Sequence, residues 1–182
     1  MYIVEQKSIF KSSIWKVFEI FSDEPLKIHY IKEISKKINL APTSVKLHIL
    51  TLNSEGIIIK KKGERFFGYV ANKDSSDFLF YKKVLNLIKI KESKLIDEIV
   101  NSIYPKCIIL YGSYSNGEDV ESSDIDLFIL SNEKKEVNAD KFEPKLKRKI
   151  HILINNNLNK LGLDLKSEII NGDVLYGYLK YD

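Results

Sequence analysis

Apolar residues recur along this chain with three different rhythms, and each rhythm predicts a different kind of element. After Ser12-Ser13, a capping pair, Ile14, Val17, Phe18 and Phe21 share one helical face, and Asp23-Glu24-Pro25 breaks the run. Ile28, Ile31, Ile34 and Ile38 recur at helical spacing and predict a second helix. Pro42 suits the first position of a third helix, with Thr43 and Ser44 as nearby capping hydroxyls. Val45, Ile49 and Leu52 carry that helix, and Gly56 stops it. "GIIIKKKGERFFGYV" then reads as strand, basic turn at Gly63, strand: a hairpin. From Ser75 to about Ile103 the spacing of Leu85, Ile88, Leu95, Ile96, Ile99 and Val100 predicts one long helical run that ends at Pro105.

Beyond Lys106 the apolar residues become continuous. "CIILYGS", "DIDLFIL" and "KIHILIN" predict three strands, with a polar stretch of loop or weak helix, Ser131 to Lys147, between the last two. "LGLDLKSEIINGDVLYGYL" predicts one or two helices and a last short apolar segment, and no internal repeat is visible. The expected fold class is α/β of the α+β kind, with a helical first part and a small mixed sheet in the second. The expected boundaries are 1–72, a connecting helix at 73–105, and 106–182.

Composition narrows the class. With 182 residues, 44% hydrophobic and 30% charged, the chain has material for one large domain or two small ones. The single cysteine, Cys107, excludes an internal disulfide framework and suits a reducing cytoplasm. Met1–Phe10 carries charge within its apolar run, which argues against a signal peptide, and no stretch is long and apolar enough to span a bilayer. The net charge of +4 is uneven: residues 1–72 hold 12 basic and 7 acidic residues, and the remainder 17 and 18. The positive excess therefore lies in the first part, a hint of nucleic-acid contact there.

The sharpest chemical pattern is "YGSYSNGEDVESSDIDLFIL". Gly112-Ser113 follows a strand, ten residues intervene, and Asp124-Ile125-Asp126 opens the next strand. Residues two apart on a strand share a face, so Asp124 and Asp126 are expected to project together. Two carboxylates so close repel each other, and a divalent cation removes the conflict. Mg²⁺ favours oxygen ligands and is commonly held by one or two carboxylates plus substrate phosphates. Gly112 permits a tight turn with close backbone approach, Ser113 adds a hydroxyl, and a helix starting there would favour an anion. Together they describe a site for a nucleoside triphosphate with Mg²⁺. Either feature alone is also met at solvated strand edges and ordinary turns.

Two resemblances add to this reading. "TSVKLHILTLNSEGIII" resembles the recognition helix and wing of small winged helix-turn-helix regulators. That resemblance implies duplex DNA contact by Ser44, Lys46, His48 and Thr51 on the helix and by Lys60, Lys61, Lys62 and Arg65 in the wing. Leu47 and Leu50 depart from it, because they stand where such helices show polar residues, and packing against another domain or a homodimer partner is the alternative. The stretch from Lys106 to Gly177 resembles the minimal nucleotidyltransferases of the DNA polymerase β superfamily, through the Gly-Ser turn, Gly117, the "SDIDL" run and the closing "EIINGDVLYG". This second resemblance implies that Asp124 and Asp126 hold Mg²⁺ and that Gly112 and Ser113 grip the β- and γ-phosphates. An acceptor oxygen would attack the α-phosphorus and pyrophosphate would leave.

By the same resemblance, active members usually carry a third carboxylate on the next strand, and "RKIHILI" read against that pattern puts His151 there. A neutral imidazole serves as general base or weak metal ligand but supplies no negative charge. Three readings stay open. One is an active transferase with a protein or nucleic-acid acceptor, antitoxin-like and paired with a helical toxin. The second is a winged-helix DNA-binding regulator with a degenerate, non-catalytic nucleotidyltransferase domain. The third is a structural adaptor.

Overall fold

The computed structural model describes residues 12–133 and 137–180; Met1–Phe10, with the charge pattern that argues against a signal peptide, lies outside them. The chain divides into two compact units, Met1–Phe78 and Leu79–Asp182.

The first unit holds α1 (Ser13–Asp23), α2 (Ile31–Ile38), α3 (Pro42–Ser54) and the hairpin β1 (Ile58–Lys62) and β2 (Phe67–Ala71). The predicted apolar faces meet in its core, where Val17, Phe21, Ile34, Val45, Ile49 and Ile58 are fully buried. Capping differs from expectation. Ser12 takes the N-cap position of α1, but its hydroxyl makes no capping bond. Ala41 is the N-cap of α3, because the helix already begins at Pro42 and so takes Thr43 and Ser44 into its first turn. The hairpin pairs Ile58 with Ala71 and Lys62 with Phe67. His29 extends it by exchanging backbone bonds with Tyr69 at 2.8 and 2.9 Å. The His29 ring is buried against Phe21 and donates from Nε2 to the Glu24 carbonyl, and burial pushes its pKa below the ordinary value.

The run predicted as one long connecting helix is two. After α4 (Ser76–Ser93) the chain breaks at Lys94, which takes a left-handed φ of 71°, and α5 (Leu95–Ile103) follows. The Ser93 hydroxyl holds the break by donating to the Ile90 carbonyl and accepting from Leu95 N–H. An apolar period continues through such a break, so periodicity alone does not reveal it. These residues supply the second unit with buried Ile90, Leu95, Ile96, Ile99 and Ile103.

Then come β3 (Cys107–Tyr111), α6 (Gly112–Asn116), β4 (Ile125–Leu130), α7 (Glu143–Leu146), β5 (Ile150–Asn155), α8 (Leu163–Ile170) and β6 (Asp173–Gly177). The sheet order is β5-β4-β3-β6, with β4 and β5 parallel and the other pairs antiparallel. The last apolar segment of the sequence is therefore a fourth strand, on the β3 edge. Strand alternation sorts the side chains. Ile108, Leu110, Ile125, Leu127 and Ile129 join the α5 side of the core, while Cys107, Ile109, Tyr111 and Phe128 join Ile169 of α8 on the opposite face.

Candidate active site

The register of the sheet gathers the site. Tyr111, the last residue of β3, pairs with Asp126 in β4, and Asp126 pairs with His151 in β5. Its neighbours Ile125 and Leu127 are fully buried on the α5 side, so alternation sends the Asp126 side chain to the opposite face, the face of Tyr111 and Phe128. Asp126 Oδ1 lies 3.4 Å from His151 Nδ1, with side chains 29% and 67% exposed.

Directly after Tyr111 the chain turns at Gly112, whose φ of +74° suits glycine. A β-carbon there would stand 3.0 Å from Asp126 Oδ2, so the carboxylate lies over the bend. Burial first, and then the charges of Asp126 and Glu168, raise the pKa of the Tyr111 phenol. Glu168, on α8, thus acts on the same rung as Asp126. A cleft of about 440 Å³ lies beside the bend and includes Gly112, Ser113, Glu118 and Glu168 in its lining.

Asp124 stands one residue before β4 and is exposed, so the expected strand pairing of the two acids begins only at Ile125. It lines a second cleft, of about 340 Å³, with Ser123, Glu143 and Arg148. The two clefts have no lining residue in common. Among the described residues no group of three His, Cys, Asp or Glu could hold a metal ion. Glu143, an acid close upstream of β5 in the sequence, accepts a hydrogen bond from Ile150 N–H at 3.0 Å and so fixes the start of that strand one residue ahead of His151.

A buried polar cluster holds the loop between Gly117 and Asp124. Asp119 and Lys82 are each 1% exposed, and Lys82 Nζ lies 3.1 Å from Asp119 Oδ1 while also donating to the Asp119 carbonyl. Arg148 donates from Nε and Nη2 to Asp119 Oδ2 at 3.3 and 3.0 Å. Asn86 donates to Asp119 Oδ1 and to the Tyr114 carbonyl. Burial pushes the Lys82 pKa down, countered by the charge of Asp119. The Asp119 carboxylate thereby joins α4 to the segment that leads into β5, and Asn86 links both to α6. At Gly117 α6 turns off with φ +75°, and a β-carbon would meet the Leu79 carbonyl at 2.3 Å, so α6 packs directly on the α4 backbone. The sequence reading missed Asp119, Lys82, Asn86 and Glu168. One available signal was that Arg148 is one of only two arginines, Arg65 being the other.

In the first unit, Lys60, Lys61, Lys62 and Arg65 are exposed on the hairpin, and Lys60 Nζ lies 4.9 Å from the centre of the Phe67 ring. On α3, Lys46 and Thr51 are exposed and Ser44 is half-buried. The Thr51 hydroxyl donates back to the Leu47 carbonyl. The His48 ring is engaged within the unit, hydrogen-bonded at 2.7 Å to Ser13 Oγ of α1. Leu47 and Leu50 are 65% and 49% exposed.

Residues 93–179 match the family model described as polymerase beta, nucleotidyltransferase. The match covers the sheet, the Gly112 bend, Asp124, Asp126 and His151, and it supports placing this part of the chain in the nucleotidyltransferase superfamily. No curated protein and no solved structure matches the chain.

Proposed function

We propose that the second unit transfers a nucleoside monophosphate from a nucleoside triphosphate to a protein or nucleic-acid acceptor. The carrying observation is the convergence of the Asp126 carboxylate, the Gly112 bend and His151 at one end of the sheet. The family match supports the reaction class. Gly112 and Ser113 receive the β- and γ-phosphates, because a bend without a side chain lets phosphate oxygens approach backbone N–H groups. Asp126, together with Asp124 just before β4, provides hard oxygen donors suited to one Mg²⁺ that completes its shell with substrate phosphate oxygens. When bound, that ion neutralises the charge of the polyphosphate.

His151 accepts the proton of the acceptor hydroxyl. The acceptor oxygen forms its bond to the α-phosphorus, the bond to the bridging oxygen breaks, and pyrophosphate leaves. Asp126 Oδ1 stands 3.4 Å from Nδ1 of the imidazole, on the side away from Nε2, which takes the proton. In the test, the full chain is incubated with Mg²⁺, each α-labelled triphosphate and cell lysate. Label should move to an acceptor with wild type and fall by at least about 1,000-fold with Asp124→Ala/Asp126→Ala, as expected when charge stabilisation is lost. Absence of labelled product with every triphosphate would count against transfer and favour the degenerate, regulatory reading.

A second reading concerns the first unit, for which three helices and an exposed basic hairpin support a winged helix-turn-helix that contacts duplex DNA. The contacts are assigned to Lys46, Lys60, Lys61, Lys62 and Arg65, with Thr51 and Ser44 at the helix and His48 reserved for its bond to Ser13. Duplex binding should weaken steeply between 50 and 200 mM salt, roughly as expected for several phosphate contacts. Salt-independent binding would contradict phosphate contact by the hairpin.

A further inference from the structure

The second unit carries another cleft, at the far end of its sheet. Leu130, the last residue of β4, lines it together with Lys106, immediately before β3. Cys107 pairs with Leu130 here, whereas Tyr111 pairs with Asp126 at the other end. Four strand steps separate the two rungs, about 14 Å. The cleft has a volume of about 790 Å³, more than a single phosphate needs.

Its chemistry is one-sided. Lys106, Lys166 and Lys180 line it, and among the described residues no carboxylate does. Among the described residues none of the three lysines forms an ion pair. The other polar side chains are Asn156, Asn157, Asn159 and Tyr178. The carbonyl oxygens of the three asparagines are already used: Asn156 Oδ1 accepts from Lys160, Asn157 Oδ1 from the Asn159 N–H, and Asn159 Oδ1 from Lys166. What remains for a ligand is mostly donors, ammonium and amide N–H groups, which suit a partner rich in acceptors and negative charge. Tyr178 adds an aromatic ring that is 65% exposed, with Lys180 Nζ 5.7 Å from its centre. Leu130, Leu158 and Leu179 supply an apolar floor.

We infer that this cleft binds a single strand of nucleic acid, with its phosphates against Lys106, Lys166 and Lys180 and a base stacked on Tyr178. Lysines around a groove with an aromatic platform are the parts from which sequence-tolerant single-strand sites are built. A rigid duplex offers no unstacked base to Tyr178. The site stands apart from the Gly112 bend and needs neither Mg²⁺ nor Asp126.

The test is fluorescence anisotropy of the full chain with a labelled ten-nucleotide oligouridylate in EDTA, at salt concentrations from 50 to 200 mM. Wild type should bind with a salt slope near −2, since each neutralised phosphate contributes about −0.7 on a single strand. Lys106→Glu/Lys180→Glu should weaken binding by at least about tenfold and flatten the slope by more than one unit. Tyr178→Ala should weaken it by roughly five- to a hundredfold with the slope unchanged. All these side chains are exposed at the surface, and melting curves of the variants should overlay that of wild type. Asp124→Ala/Asp126→Ala should bind like wild type, which separates this site from the proposed transferase centre.

Several results would overturn the inference: no binding by wild type at 50 mM salt, or cleft variants that bind as wild type does. Loss of binding in Lys60→Gln/Lys61→Gln/Lys62→Gln instead would do the same. So would equal competition by tripolyphosphate at matched phosphate concentration, since that would show a simple anion site.

Discussion

Gly112 has two reasons to be glycine. Its φ of +74° is one that a side chain resists, and a β-carbon would crowd Asp126 Oδ2 at 3.0 Å. Gly112→Ala should cost about 1–2 kcal/mol from the backbone alone. It should also slow the proposed nucleotidyl transfer at least tenfold by displacing the carboxylate, a loss of about 1.4 kcal/mol in the transition state. Steady-state rates alongside urea denaturation would check both. A destabilised variant with an unchanged rate would show that Asp126 does not need its place over the bend. The Gly-Ser turn and the Asp-x-Asp run were legible in the sequence because their spacing is local. The family resemblance pointed to His151 in the third strand, but its place level with Asp126 comes from the pairing of β4 with β5, which no local pattern reports. The contributions of Asp119 and Glu168 were not, because each depends on partners far along the chain. Asp119 meets Lys82 and Arg148, 37 and 29 positions away, and no local period reports such a meeting.

At the scale of elements, β3, β4 and β5 were legible as apolar runs; the two central strands, β3 and β4, are mostly buried, as expected for strands covered on both faces, whereas β5 is an edge strand with no fully buried residue. The fourth strand was harder to read. In β6, Val174 and Tyr176 are exposed and Leu175 is half-buried, so its apolar residues resemble those of a loop until they pair with β3. The split of the long helical run at Lys94 depends on one backbone angle and a serine hydroxyl, neither of which disturbs the apolar period. The buried Asp119 cluster is what holds α4, α6 and the entry to β5 in register. Asp119→Ala would leave Lys82 and Arg148 buried without their carboxylate, and stability should fall by about 3–5 kcal/mol. Asp119→Asn keeps an acceptor oxygen and should cost less. Chemical denaturation measures both, and a loss below about 1 kcal/mol for Asp119→Ala would show that the cluster is no anchor.

Across the whole molecule, charge and chemistry are divided between the two units. Residues 1–72 hold the positive excess, part of it on the exposed hairpin, while the second part is nearly balanced and places Glu118 and Glu168 in the cleft beside the Gly112 bend. Among the described residues, no helix is long and apolar enough to cross a membrane. In the proposed function, the acids at 124 and 126 and the Gly112 bend together receive a metal-bound triphosphate. The most direct measurement is a calorimetric titration of a non-hydrolysable triphosphate, with and without Mg²⁺, into wild type and Asp124→Ala/Asp126→Ala. Wild type should bind in a Mg²⁺-dependent way, and the variant should lose at least about a hundredfold in affinity, about 2.8 kcal/mol. Equal affinity in the two proteins, or binding indifferent to Mg²⁺, would contradict that proposal.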